Sequence, residues 1–350
     1  MNFTYTNEEK DLVVTEKSPL TDAQTTFINK VAFRSITAEH CSLDNALART
    51  AYKDVLAPMD SPPYHRAIVE GFLVQTKDTK GASDQTPIRF QITGEVKPGE
   101  SQCPIPQDMQ AIRVSTGSIV PEGEFSIVRM WEAEISGQSF QIKRSFPARF
   151  FIENRGCDIE KNTMVCSAGT TLSAMDIGTL ASLGITEVSV ATKPTLSIFS
   201  SGDEVIPYTA PFQPGKIYDC NSMMLSAAAH GAGAIPTFKG IMNDDFKQFV
   251  KQAKQALNTS DMLLISGGTA VGGKDFISDL IREIGELIID GVPMRSGRPL
   301  IMGIANQKPI VCVAGHPPEA LRGFQLFAVP TIQKLMGIDV KLPEDRPSQA

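Results

Sequence analysis

Apolar spacing divides the chain into stretches of different period. From Thr195 onward, short continuous apolar runs alternate with segments whose apolar residues recur every three or four positions. "TLSIFS", "IPTFKGI", "MLLIS", "PLIMGIA" and "PIVCVAG" are the runs, brief and unbroken as strands buried on both faces tend to be. "NSMMLSAAAHGAG", "DDFKQFVKQAKQAL" and "FISDLIREIG" carry the helical period. In the second of these Phe246, Phe249, Val250, Ala253 and Leu257 share a face, and Asp244 is a fair N-cap. "PEALRGFQLFAVPTIQKLMG" reads as a last helix that must bend or break near Pro330. Strands alternating with helices predict a mostly parallel sheet covered on both faces, with right-handed crossovers.

Upstream the pattern changes twice. Residues 19–50 read mostly as helix, with Leu43, Ala46 and Leu47 on one face. From about 51 to 146 the chain is rich in Pro and Gly and carries β-like runs such as "IRFQITGEV" and "FSIVRMWEAEI". It has no long helical pattern there, which predicts a small β-rich domain. The helical period returns in "GCDIEKNTMVCSAGTTLSAMDIGTLASLGITEVSV". A chain of 350 residues exceeds one ordinary core, so several domains are expected.

Composition narrows the classes of function. With 42% hydrophobic and 21% charged residues the chain reads as soluble and globular. It has no apolar run of membrane-spanning length and no secretory pattern at its start, so a cytoplasmic protein without membrane contact is expected. A net charge of -6 without a basic block argues against nucleic acid as the main partner. Six cysteines lie scattered without a CxxC pair, and the four histidines show no zinc spacing, so free thiols are expected. Trp131 is expected to pack the β-rich domain, and Met223 and Met224 to face the core.

The carboxyl ends of the strands carry the chemistry. "SGDE" offers Asp203 and Glu204, "MNDD" offers Asp244 and Asp245, and "GGTAVGGKD" offers Asp275. "PMRSGRP" supplies Arg295 and Arg298, and "GHPPE" follows the last strand. Each alone reads as a loop or cap, but in an open α/β sheet they would share the edge where ligands sit. Glycines let backbone N–H groups approach phosphate, arginines hold oxyanions and carboxylates hold Mg²⁺. The loop is neither a P-loop nor a dinucleotide fingerprint.

The ordered set "IFSSGDEV", "IYDCNSMML", "LLISGGTAVGGKD", "RSGRP" and "VAGHPPEAL" resembles the molybdenum insertases, the MoeA and gephyrin E-domain family. Upstream, "SLDNALARTAYKDVLAPMDSPPYHRAIVEGFLV" and "IRVSTGSIVPEGEFSIVRMWE" also resemble it, and the likeness spans roughly residues 20 to 338. It implies a multidomain α/β protein whose three-layer α/β/α domain binds molybdopterin. Residues 1–50 and 147–192 would form a discontinuous first domain, 51–146 the β-rich second and 193–338 the α/β domain, with 339–350 a disordered tail.

The resemblance further implies insertion of molybdate into adenylylated molybdopterin, dependent on Mg²⁺, with release of AMP. It implies a homodimer, and an adenylyltransferase or recipient molybdoenzyme as further partners. Glu70, Glu204, Asp244 and Asp275 would be the catalytic acids, with Glu204 and Asp244 holding the metal. Thr116, Gly117, Ser201, Gly202, Asp203, Asn221, Gly267, Gly268, Thr269, Gly272, Arg295, Arg298 and Pro317 would bind substrate, with Thr116 and Glu70 reaching across from the other subunit.

Several positions depart from the family's pattern. "MDGYA" reads "VEGFL" here, with Glu70 for aspartate and Phe72 for tyrosine; Ala270 stands for a serine; Arg295 and Arg298 stand for lysines; and "PGNP" reads "GHPP", with His316 and Pro317. Many relatives also continue into a further small C-terminal β domain. The alternative to an insertase is therefore a binding or carrier protein that keeps the pterin pocket without turnover.

Overall fold

The computed structural model describes residues 19–32, 36–242, 245–267, 276–294 and 297–338, together with Val340 and Leu342. Two six-stranded sheets dominate it. The first contains β1 (Gly71–Gln75), β2 (Ile88–Val96), β3 (Gln110–Val114), β4 (Phe125–Arg129), β5 (Glu134–Ser136) and β6 (Ser139–Ile142), in the order β4-β1-β3-β2-β6-β5. The second contains β7 (Thr195–Ser201), β8 (Ile235–Met242), β9 (Met262–Ser266), β10 (Glu286–Met294), β11 (Gly297–Ala305) and β12 (Lys308–Val313), in the order β8-β7-β9-β12-β11-β10.

In the second sheet β8, β7, β9 and β12 run parallel, while β11 and β10 are antiparallel. Side chains alternate between two cores, as strand geometry requires. Leu196, Ile198, Leu264, Val311, Val313 and Met302 enter one core; Leu263, Ile265, Ile310, Cys312 and Ile301 enter the other. Helices α4 (Phe246–Thr259) and α5 (Phe276–Ile284) close the second core, with Phe249, Ala253, Leu257, Ile277, Leu280 and Ile281. The cap of α4 is Asp245, whose carboxylate accepts from the Gln248 amide; Asp244 lies outside the described residues.

The opposite face is covered by α1 (Pro19–Lys30), α3 (Asn221–Gly231), α6 (Pro317–Gly323) and α7 (Val329–Leu335). Three layers result. Between α6 and α7, Phe324–Ala328 widens into a π turn, at the break expected near Pro330. Pro330 has no N–H to offer the Leu326 carbonyl four residues back. Gln24 of α1 donates to that carbonyl instead, at 2.9 Å and fully buried. Lys334 of α7 returns the favour, donating to the Ile28 carbonyl at 2.6 Å. Two polar contacts thus fix the N-terminal helix to the C-terminal one.

The helix expected over residues 19–50 stops at Lys30. Ala38–Ser42 is a strand, paired antiparallel with Glu187–Ala191, and Leu43–Asn45 is a single 3₁₀ turn. Long-range pairing overrides a weak local preference there. Ala46 is buried with Leu172, with Leu180 of α2 (Ala174–Ser182) and with Val188, whereas Leu47 is 59% exposed. Residues 38–57 and 159–191 meet through this pairing and through Val55–Leu56 against Met164–Cys166.

The first sheet buries residues on both faces too: Phe72, Phe90 and Phe140 stack on one side, with centroids 4.3 and 5.4 Å apart. Leu73, Ile112 and Ile127 fill the other. Gly71 is required at its place, since a Cβ there would sit 2.1 Å from the Val128 carbonyl oxygen. Trp131 does not pack this domain as expected. It is 71% exposed, and the Arg129 guanidinium lies 4.9 Å from its ring centre. Of the two methionines, Met224 packs against the core and Met223 is exposed.

Two predictions follow from these contacts. Replacing Gln24 by Ala leaves the Leu326 carbonyl buried without a donor, and should lower unfolding free energy by about 1–3 kcal/mol in denaturant titration. Glu132 is the other case. Hydrogen bonds from Arg129, at 2.8 and 2.9 Å, and from Arg144 hold its carboxyl down to about 2. A depressed folded pKa stabilises above the unfolded value, and the gain is lost as pH falls towards 2. Glu132→Gln should therefore lower the melting temperature at pH 7 and converge with wild type in strong acid; parallel curves at all pH would refute it.

Candidate functional site

The parallel strands β7, β9 and β12 end on one edge, and the loops leaving them enclose a cleft of about 310 Å³. Ser200 and Ser201 come from the end of β7, Ser266 from the end of β9, and Gly315, His316 and Pro317 from the turn after β12. A small flap completes it. Val205–Ile206 pairs in parallel with Ile217–Tyr218, and the chain then enters α3 through Asp219, Cys220 and Asn221.

Close backbone approach builds the floor. Gly267 turns at φ 87°, and a Cβ there would lie 2.6 Å from the Ser201 carbonyl oxygen, so no other residue fits between β7 and β9. Asn221 joins the loops. Its amide donates to Ser266 Oγ and to the Gly315 carbonyl, both at 2.7 Å, and Ser266 Oγ donates on to Ala314. Beneath, burial pushes the Cys312 thiol well above its ordinary range, leaving it a packing residue.

Of the expected site residues, Ser201, Glu204, Asn221 and Pro317 line this cleft. Gly202 and Asp203 lie in the turn between Ser201 and Glu204, where Lys216 donates to the Asp203 carbonyl at 2.6 Å. Arg298 is exposed on the β10–β11 hairpin, donating to the Gly291 carbonyl at 2.8 Å, and does not line the cleft. Glu70 and Thr116 are exposed at one end of the first sheet, next to the paired Gly71 and Val114, with Gly117 following at φ 86°. Asp244, Gly268, Thr269, Gly272, Asp275 and Arg295 lie outside the described residues, as do Ala270 and nearly all of the tail from 339.

Ser200, Asp219, Ser266 and Gly315 line the cleft without having been marked by the sequence. Asp219 lies inside the quoted "IYDCN", so its motif carried the signal, whereas the two serines read as strand residues. The described lining contains Glu204 and Asp219 but no Lys or Arg. An anionic ligand would meet two carboxyl groups there, unless a cation came between. With carboxylate and hydroxyl oxygens and no Lys or Arg among the described lining residues, this donor set fits a hydrated Mg²⁺ at the exposed Glu204.

Two other polar clusters lie apart from the cleft. His65 accepts from Arg149 and the Arg155 amide, and burial followed by the Arg149 charge holds it below its ordinary range. Glu153, Cys157 and Asp158 gather within 4.8 Å, with Arg66 pairing to both carboxylates.

The family description "MoeA N-terminal region (domain I and II)" matches residues 18–184, and "probable molybdopterin binding domain" matches residues 197–334. The molybdopterin molybdenumtransferase of Bacillus subtilis (strain 168) is 31% identical over 300 residues, covering 84% of this chain and 70% of the relative. The chain belongs to the MoeA family. A Staphylococcus epidermidis molybdopterin molybdenumtransferase is 28% identical over 304 residues, covering 87% of this chain and 73% of its own. The molybdopterin biosynthesis MoeA protein of Pyrococcus horikoshii OT3 superposes with a TM-score of 0.79 at 26% identity, over 92% of this chain and 80% of that one. In this MoeA-family chain all thirteen described cleft residues fall within the segment matched by the molybdopterin-binding description.

Asn221 is the residue on which the cleft's shape turns. Asn221→Ala should lower unfolding free energy by about 1–3 kcal/mol by leaving the Gly315 carbonyl without its donor. Unchanged stability in a denaturant titration would remove that role.

Proposed function

We propose that this chain acts in molybdenum cofactor biosynthesis as an enzyme of the molybdopterin molybdenumtransferase type. It takes adenylylated molybdopterin and molybdate as substrates and releases AMP. The observation that carries the reading is the position of the cleft, at the carboxyl edge of the parallel strands and wholly within the molybdopterin-binding segment. The family relationship supports it independently.

In this reading Glu204 and Asp244 hold Mg²⁺, which when bound would offset charge as the phosphoanhydride breaks. Asn221, Ser266 and Gly267 hold the cleft open and in shape. Asp275 and the glycines Gly268 and Gly272, with Thr269, cradle the phosphates, while Arg295 supplies positive charge that the described lining lacks. Glu70 and Thr116, beside the end of the first sheet, are delivered to the cleft by the second subunit of a homodimer. A cytoplasmic setting, with an adenylyltransferase upstream and a molybdoenzyme as recipient, completes the proposal. Among the described residues no helix is long and apolar enough to cross a membrane.

The test is incubation of purified protein with adenylylated molybdopterin, Mg²⁺ and molybdate, followed by AMP quantification. AMP above a no-protein control is expected; tight pterin binding without AMP would replace the insertase with a carrier. Glu70→Ala should abolish AMP release with an unchanged melting temperature, because Glu70 is exposed and outside the core. Glu70→Asp should also slow it, since a misplacement of about an ångström can cost on the order of a hundredfold. A Glu70→Ala variant as fast as wild type would remove Glu70 from the reaction.

A further inference from the structure

Two residues of the cleft lining each carry a buried polar atom without a hydrogen-bond partner: Ser200 Oγ and Asp219 Oδ2. Their residues are 3% and 4% exposed, and both line the cleft. Buried polar groups are almost always paired; of the five unpaired side-chain atoms among the described residues these two alone belong to residues lining the cleft, which points to a ligand that pairs them. Helix capping accounts for only half of Asp219. Its Oδ1 accepts from the Ser222 amide in the first turn of α3 at 3.0 Å, while Oδ2 is left over.

The chemistry of the missing partner follows from the groups present. An aspartate carboxylate only accepts hydrogen bonds, and a serine hydroxyl can accept or donate. Phosphate and molybdate oxygens are acceptors, and would leave Oδ2 facing like charge. Hydrated Mg²⁺ retains several waters and an octahedral shell, which suits the exposed mouth at Glu204 better than a carboxyl group almost closed to solvent. Beside Asp219, Val205, Ile217 and Tyr218 give the cleft apolar walls. Apolar walls and a buried acceptor together fit a flat heterocycle that presents N–H donors on one edge.

Resting on the reading of the substrate above, we propose that Asp219 and Ser200 bind the donor edge of the pterin, with Asp219 Oδ2 accepting from its 2-amino and ring N–H groups. These two residues then decide selection for an aminopterin. The adenine amino group is the other N–H source in the same substrate, so the test separates the two.

The experiment titrates the full chain with a free 2-amino-4-oxopteridine, with its 2,4-dioxo analogue and with AMP. The analogue sets a carbonyl oxygen where the amino group was, acceptor against acceptor, so wild type should prefer the aminopterin by about tenfold or more. Asp219→Asn keeps an oxygen to cap Ser222 but puts an NH₂ in the other position. It should erase that preference, weaken aminopterin binding by about tenfold and leave AMP binding and the melting temperature unchanged. Ser200→Ala should weaken the aminopterin several-fold without loss of stability, since its hydroxyl is unpaired in the free protein. A wild type indifferent to the 2-amino group overturns the proposal, as does a preference that survives in both variants or a loss confined to AMP. A wild type that binds neither pterin nor AMP would instead overturn the substrate reading itself.

Discussion

The burial of β7, β9 and β12 on both faces is the constraint from which the rest of the α/β region follows. Leu196 and Ile198, Leu263 to Ile265 and Ile310 to Val313 are essentially closed to solvent, and their alternation feeds two separate cores. Strands buried in this way need helices on either side, and parallel strands need crossovers to join them. The crossovers put all three carboxyl ends on one edge. A cleft forms there because the loops diverge while the strands beneath stay packed.

What keeps that edge in shape is polar and local. Gly267 allows two strand ends to approach more closely than any side chain would permit, and Asn221 joins loops from three different parts of the chain. The same economy appears on the far side of the sheet. There Gln24 donates to a carbonyl that Pro330 cannot serve, and Lys334 donates to a carbonyl in the last turn of α1. In both places a backbone irregularity is matched by one side chain distant in sequence. Ser200 Oγ and Asp219 Oδ2 differ from the equally unpaired Ser197 Oγ of β7 in that their residues line the cleft.

The positions where the chain departs from its family's pattern fall into different physical settings. Phe72 is a core residue stacked on Phe140, so the loss of a phenolic hydroxyl there is a packing matter. Glu70, its near neighbour, is exposed and free of the core. His316 and Pro317 line the cleft, where a changed side chain meets whatever the cleft holds. Arg298 donates to a carbonyl of its own hairpin.

The apolar period alone determined the α/β alternation from Thr195 onward, the β-rich stretch before it and the break ahead of Pro330. Each of these depends on neighbours along the chain or on one face of one element. The ordered motifs, read as a set, also determined the family. Tertiary structure decided the rest. It turned residues 38–42 from expected helix into strand, because Ala191 to Glu187 offered a partner that local propensity could not anticipate. It added β10, whose sequence "ELIIDGVPM" has a proline and no clean period, as the antiparallel outer strand. It brought Asp219 and Ser200 into the lining of one cleft and left Trp131 on the surface. Burial and hydrogen-bond satisfaction are properties of distant segments meeting, and no window along the sequence contains them.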